Sequence, residues 1–229
     1  MKIYFIRHGE TDYNKNLISQ GQKPGIPMNQ TGKVQAKKTG KYLKNFRMTD
    51  GKFDCILSSP LLRARQTAEI LADELNYQEN IIYDTRLMEL GKGVMAGKHK
   101  SIRYPIIKKI DEKFKKKINY DPILYYQNKH VLDNKLKEHY DIETIQEGTE
   151  RGISFINYLK KYCLSNNFKK IIVVSHGGIM RCIFKSLFNI PIAPEGEMKT
   201  TSNCFISYIK EKNNRYKMIT PPNTWHLNE

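Results

Sequence analysis

The run Ile171-Ile172-Val173-Val174 constrains this chain more than any other stretch of it. Four consecutive β-branched residues show no alternation of polar and apolar positions. A strand made of them is buried on both faces, as in a parallel sheet covered by helices on each side. The run stops at Ser175-His176-Gly177-Gly178, and a helix is expected from about Ile179. In such sheets ligands bind beyond the carboxyl ends of the strands, which is where this sequence puts a histidine.

Two other segments repeat the pattern. Ile3 to Ile6 reads as a short strand that stops at Arg7-His8-Gly9, and Phe53 to Leu57 as one that stops at Ser58-Ser59-Pro60. A helix is expected over Val34 to Phe46, capped by Asn29 or Thr31. Another carries Leu62, Ala64, Thr67, Ala68, Ile70, Leu71 and Leu75 on its apolar side. A third runs from Glu150 to Tyr162, capped by Thr149, and a last strand fits Cys204 to Ile209. Strands alternating with helices predict an α/β fold, a three-layer α/β/α sandwich with a mainly parallel sheet. Parallel strands bring Arg7-His8, Ser58-Ser59 and Ser175-His176 to one edge.

Residues Ser101 to Tyr140 break this rhythm. They hold the run Lys108 to Lys117 and the aromatics Tyr120, Tyr125 and Tyr126. They are expected to form a helical lid, an insertion at about 98–145 in one domain spanning 1–229. A solvated hairpin with a basic outer face is an equal alternative.

Composition narrows the function classes. The chain has 229 residues, enough for a sizeable core, with 39 Lys+Arg against 23 Asp+Glu and a net charge of +16. That balance favours anionic partners. Lysines that merely solvate the surface are the preferred reading over nucleic-acid binding. Cys55, Cys163, Cys182 and Cys204 form no CxxC pair and read as free thiols, Cys55, Cys182 and Cys204 in apolar runs. No run of about 18 apolar residues and no leader-like start is seen, so no membrane partner and a cytoplasmic location are expected. A homodimer is compatible with the sequence.

The histidines and arginines suggest phosphoryl chemistry. A neutral imidazole is a good nucleophile toward phosphorus, and flanking guanidiniums keep it unprotonated while binding a phosphoryl dianion. Arg7 is one such group beside His8. Arg63, in the first turn after Ser58-Ser59-Pro60, is a second, near helix amides that favour anions. His176 can bond phosphoryl oxygens as charge redistributes, and its glycines let backbone approach a ligand. Arg65 reads instead as a solvent-facing helix residue. His99, His130, His139 and His226 read as surface, and Trp225 as packing the tail onto the domain.

Arg7-His8-Gly9-Glu10-Thr11 with Asn14 resembles the signature of the histidine phosphatase superfamily, also called phosphoglycerate-mutase-like. Gln20-Gly21, Asn29 to Ala36, Ser58 to Thr67, Leu87-Met88-Glu89 and Val174 to Gly178 resemble the family's other blocks, in order. The resemblance implies that His8 is the nucleophile and that Arg7, Arg63 and His176, with Asn14, form the phosphate pocket. It implies that Glu89 is the proton donor, protonating the leaving alkoxide and then deprotonating water. Met88 and Leu90 flank Glu89 with apolar groups, which are compatible either with a raised pKa that helps it act as an acid or with no more than a changed pocket. No cofactor and no metal are expected, since the arginines and histidines supply the positive field.

The stretch Arg7 to Gln22, with Tyr83 to Leu87 and Val174 to Phe184, is similar to the TIGAR-like fructose-2,6-bisphosphatase branch. A phosphatase of small phosphorylated metabolites is therefore expected, with Gln20, Gly21, Lys98 and Arg103 as further substrate contacts. Met95-Ala96 depart from the Trp-Glu or similar pair that many members carry before the glycine matching Gly97. A phosphoglycerate mutase is the first alternative, disfavoured by the absence of an Arg-Arg pair in the insertion. A non-catalytic phosphate- or nucleic-acid-binding protein on the same fold is the second.

Overall fold

The computed structural model describes residues 1–117, 129–188 and 202–228, without the side chains of 46–50, 103, 104, 107 and 129–132. Along the chain run β1 (Lys2–Arg7), α1 (Asp12–Lys15), α2 (Gln30–Asp50), β2 (Cys55–Ser58), α3 (Leu62–Leu75) and β3 (Ile82–Tyr83). The insertion contributes α4 (Lys100–Lys117) and α5 (Lys129–Tyr140). Then follow α6 (Ile145–Ser165), β4 (Lys170–Ser175), α7 (Gly177–Phe188), β5 (Ile206–Lys212) and β6 (Arg215–Asn223).

The six strands form one sheet in the order β3-β2-β4-β1-β5-β6. β3, β2, β4 and β1 are parallel; β5 and β6 are antiparallel. The continuous run around Ile171 lies in β4, a central strand, and alternate residues serve opposite faces. Ile171 and Val173 pack with Phe155 and Leu159 of α6 and Ile179 and Ile183 of α7. Ile172 and Val174 pack with Leu43 of α2 and Ala64, Ala68 and Leu71 of α3. The chain leaves β1 for one layer and β4 for the other. That opens a crevice between the ends of adjacent strands, one ending at Arg7 and the other at Ser175.

Several local expectations need correction. The helix expected from Thr149 starts earlier, because Thr144 and Glu147 make a reciprocal capping box at Ile145. Thr149 lies inside that helix, donating to Ile145 O at 2.7 Å. α2 begins at Gln30 rather than Val34, with Asn29 Oδ1 accepting from Gly32 N at 2.9 Å. The segment from Cys204 is not the last strand. It starts at Ile206, turns at Asn213-Asn214, both at positive φ, and returns as β6. Pro221 and Pro222 are tolerated there because β6 is the sheet edge. The roles of two tail residues are exchanged. Trp225 is 72 % exposed, whereas His226 is buried, its Nε2 2.9 Å from Thr39 Oγ1.

Among the described residues of the 98–145 segment, Lys100–Lys117 and Lys129–Tyr140 are helical. α4 and α5 share a small cluster of Phe114 and Leu136. Tyr120, Tyr125 and Tyr126 lie outside the described residues, as does the His130 side chain. Among the described residues no helix is long and apolar enough to cross a membrane.

Candidate active site

His8 follows directly on β1, its amide donating to Ser175 O at 3.0 Å, so the two strand ends are stitched together. Its Nδ1 lies 2.8 Å from Gly9 O. A carbonyl only accepts, so the proton is on Nδ1 and the lone pair is on Nε2. The His176 ring lies 5.0 Å from the His8 ring, centroid to centroid. His176 Nε2 is 2.8 Å from Ser59 Oγ, which accepts from Leu61 N at 3.3 Å. With its own proton on Nδ1, His176 can accept the Ser59 hydroxyl proton at Nε2. Its Nδ1 is buried and has no partner among the described residues, a donor suited to a phosphoryl oxygen.

Arg63 is fully buried, on the first turn of α3. Its Nη2 donates to Gly21 O at 2.8 Å, and its buried Nε has no partner among the described residues. Burial lowers both guanidiniums to about 10, offset in part by Glu89, so Arg7 and Arg63 are still cations at neutral pH. Burial, then Arg7, then Arg63 push His8 well below 6.5. His176 is pushed well below 6.5 by burial, Arg63, His8 and Arg7. Both rings are therefore neutral, held so by the charges that would bind a dianion.

Glu89 lies outside the sheet, against the start of α7. Oε1 accepts from Leu90 N at 2.8 Å and Ile179 N at 3.1 Å, and Oε2 from Gly178 N at 3.2 Å. The carboxylate thus sits on the N-terminus of α7, where the helix dipole favours negative charge. A Cβ on Gly178 would come within 2.3 Å of Oε1, so glycine here admits the carboxylate. Burial does push the Glu89 pKa up, but Lys92 and the Leu90 and Gly178 amides outweigh it, and the group lies below the usual carboxylate range. Of the two readings offered for the apolar neighbours Met88 and Leu90, the raised pKa is therefore not the one found.

These groups line a cleft of about 320 Å³. Arg7, His8, Asn14, Gln20, Gly21, Arg63 and Glu89 all reach it, with His176 behind His8. Lys98 is exposed and outside the lining; Lys92, Lys100 and Arg181 supply its remaining cations. Arg103 lies in α4, its side chain outside those described. Arg65 is half exposed and reaches Glu69, as expected. Asn203 is a residue that sequence reading missed. Its Nδ2 donates to His8 O at 3.0 Å and to Asn14 Oδ1 at 3.1 Å, leaving the Asn14 amide as a donor toward the cleft.

The arrangement can bind a phosphoryl dianion between two guanidiniums, present it to an imidazole lone pair, and exchange a proton at Glu89. Comparison with known proteins agrees with this chemistry. A family model described as histidine phosphatase superfamily (branch 1) matches residues 3–223. "Uncharacterized phosphatase PhoE" of Bacillus subtilis is 30% identical over 186 residues, 81% of this chain and 76% of that protein. "Probable phosphoglycerate mutase GpmB" of Escherichia coli is 29% identical over 210 residues, 91% of this chain and 84% of that protein. A phosphoglycerate mutase from Bacillus anthracis superposes with a TM-score of 0.78 over all of this chain and 95% of the other, at 18% identity, a likeness of fold.

Proposed function

This chain belongs to the histidine phosphatase superfamily, branch 1, and from that premise we propose that it hydrolyses small phosphomonoesters through a phosphohistidine on His8. The observation that carries the proposal is the neutral His8 ring with its Nε2 lone pair, on the cleft wall with Arg7 and Arg63 and with the His176 ring 5.0 Å away. His8 Nε2 forms the N–P bond as the P–O bond to the leaving group breaks. The electron pair stays on that oxygen, which takes a proton from Glu89. Water then attacks phosphorus, gives its proton to the Glu89 carboxylate, and the N–P electrons return to Nε2. Inorganic phosphate and an alcohol leave, and both residues are restored.

Glu89 must be protonated before the first step, although Lys92, the Leu90 and Gly178 amides and Arg63 favour its anion. An entering phosphoryl dianion neutralises the field of Arg63 and Lys92 and adds its own negative charge. Both changes raise the Glu89 pKa at the moment an acid is needed. No metal is required, because Arg7 and Arg63 provide the stabilising charge.

Lys92, Lys100 and Arg181 also line the cleft, as does Glu10. They suit a substrate with a second anionic group, and a sugar bisphosphate such as fructose-2,6-bisphosphate is the leading candidate. The mutase reading has one observation in its favour, the GpmB likeness across 91% of the chain. One experiment separates the readings: a panel of phosphosugars, phosphoglycerates and nucleotides, run beside His8→Ala without and with EDTA. Phosphate release that survives EDTA and disappears in His8→Ala is expected. Isomer exchange of phosphoglycerate without phosphate release would establish the mutase, and turnover undiminished in His8→Ala would overturn both.

A further inference from the structure

The Glu89 carboxylate is placed by its own backbone, and that backbone is held by residues more than fifty positions further on. Arg151 of α6 reaches across to the segment before and including Glu89. Its Nη1 donates to Arg86 O at 2.8 Å and Met88 O at 2.7 Å, and its Nη2 lies 3.4 Å from Glu89 O. The guanidinium is itself fixed by Glu143. Oε1 of Glu143 takes Nε at 2.9 Å and Nη2 at 2.8 Å, while Oε2 takes Nη2 at 2.9 Å. Glu143 also grips the other side of Glu89, because its Oε2 accepts from Gly91 N at 2.7 Å. Gln22 closes the network, its Nε2 donating to Glu89 O at 2.9 Å and Glu143 Oε2 at 3.3 Å.

Five hydrogen bonds from Gln22, Glu143 and Arg151 thus converge on the backbone from Arg86 to Gly91. A planar guanidinium held bidentately has one orientation, and so do the carbonyls it binds. We propose that Arg151, locked by Glu143 and assisted by Gln22, is a positioning residue for the proposed proton transfer, fixing the Glu89 carboxylate in the cleft that His8 lines. The network reaches further than Glu89. Gln22 belongs to the loop whose Gly21 O holds Arg63. Glu143 follows Ile142, which pairs with Lys92 where the insertion rejoins the domain. The brace therefore ties the acid to the phosphate pocket on one side and to the root of the insertion on the other.

The inference rests on the reaction proposed above, so the experiment separates the two. Arg151→Lys keeps the charge and loses the fork; Glu143→Gln keeps the shape and loses the ion pair. Each is assayed on p-nitrophenyl phosphate, whose leaving group needs no proton, and on an alkyl phosphate that the wild type hydrolyses. The expected result is a loss of about 10-fold or more in kcat/KM for the alkyl substrate and of less than about threefold for the aryl one, as misplacement of an acid by a fraction of an ångström would cause. In a Glu89→Gln background the same substitutions should add less than about twofold, since the acid they position is gone.

Equal losses on both substrates, or full additivity with Glu89→Gln, would reduce the brace to a fold-stabilising contact and overturn the inference while leaving the phosphatase reading intact. A wild type inactive on both substrates would remove that reading and the inference with it. Where Arg151→Lys or Glu143→Gln fails to fold, Gln22→Ala, at a partly exposed position, tests the same selectivity with one bond removed.

Discussion

The two walls of the cleft are built by different means. The phosphate wall rests on strand ends and the first turn of a helix. Arg7 and His8 end β1, His176 follows β4, and Arg63 opens α3 after β2. Their relative positions follow from the parallel register that sets Arg7 beside Ser175. The acid wall has no such scaffold. Glu89 lies between two single-turn 3₁₀ segments, Thr85–Leu87 and Gly93–Met95, and its place depends on Arg151, Glu143, Gln22 and the amides of α7. A wall fixed by sheet hydrogen bonding should show losses common to all substrates. A wall fixed by a few side chains should show losses that depend on the chemistry asked of it.

The largest effect should come from the phosphate wall. Arg63→Met fills the same buried space without the charge. Removing one stabilising donor of this kind costs on the order of 10²–10³ in rate. The loss should be equal for aryl and alkyl phosphates, because both present the same phosphoryl group. Steady-state kcat/KM on the two substrates measures this, and a loss confined to alkyl esters would break the division between the walls. Glu89→Gln should be smaller and selective. A loss of about 10² on alkyl phosphates, with only a few-fold on p-nitrophenyl phosphate, is expected of a missing general acid. Equal losses on both would remove Glu89 from that role.

The same contrast explains what could be read before the fold was known. Strands ending in Arg7-His8, Ser58-Ser59 and Ser175-His176 declare themselves through apolar runs that stop at polar groups. The parallel sheet then makes their meeting a matter of geometry. Glu89 was legible only through family likeness, because no local pattern encodes an Arg–Glu pair arriving from residues 143 and 151. The direction of its pKa shift was open in the sequence for a related reason. Met88 and Leu90 are its neighbours in sequence, but its electrostatic neighbours are Lys92, Arg63 and the first amides of α7. Two other misses had signals that were passed over. Thr144 with Glu147 spells a capping box, and Asn213-Asn214 between alternating segments spells a hairpin. Asn203 had none, since its value lies in reaching the carbonyl of a residue 195 positions away.

The phosphate wall nevertheless has one long-range support, and it yields the smallest effect of the series. Behind His8, Cys204 N donates to His8 O at 3.3 Å, and Thr39, close to Cys204, is 2.9 Å from the His226 ring in the tail. Burial lowers His226 to about 4, with Lys38 acting in the same direction and a bond to the Cys204 backbone opposing. A histidine held neutral in the fold but free to protonate near 6.5 when unfolded stabilises the fold fully above 6.5. That contribution declines as the pH falls toward 4. At pH 5.5, one unit into that window, the cost is about 1.4 kcal/mol relative to pH 7.5. Urea unfolding of wild type and His226→Gln at the two pH values should therefore show a pH dependence smaller by that amount in the variant. The residual dependence belongs to His8 and His176, whose lowered pKa values act with the same sign. Identical pH dependence in the two proteins would show that the tail ring is not held neutral, and the phosphate wall would then owe its stability to the sheet alone.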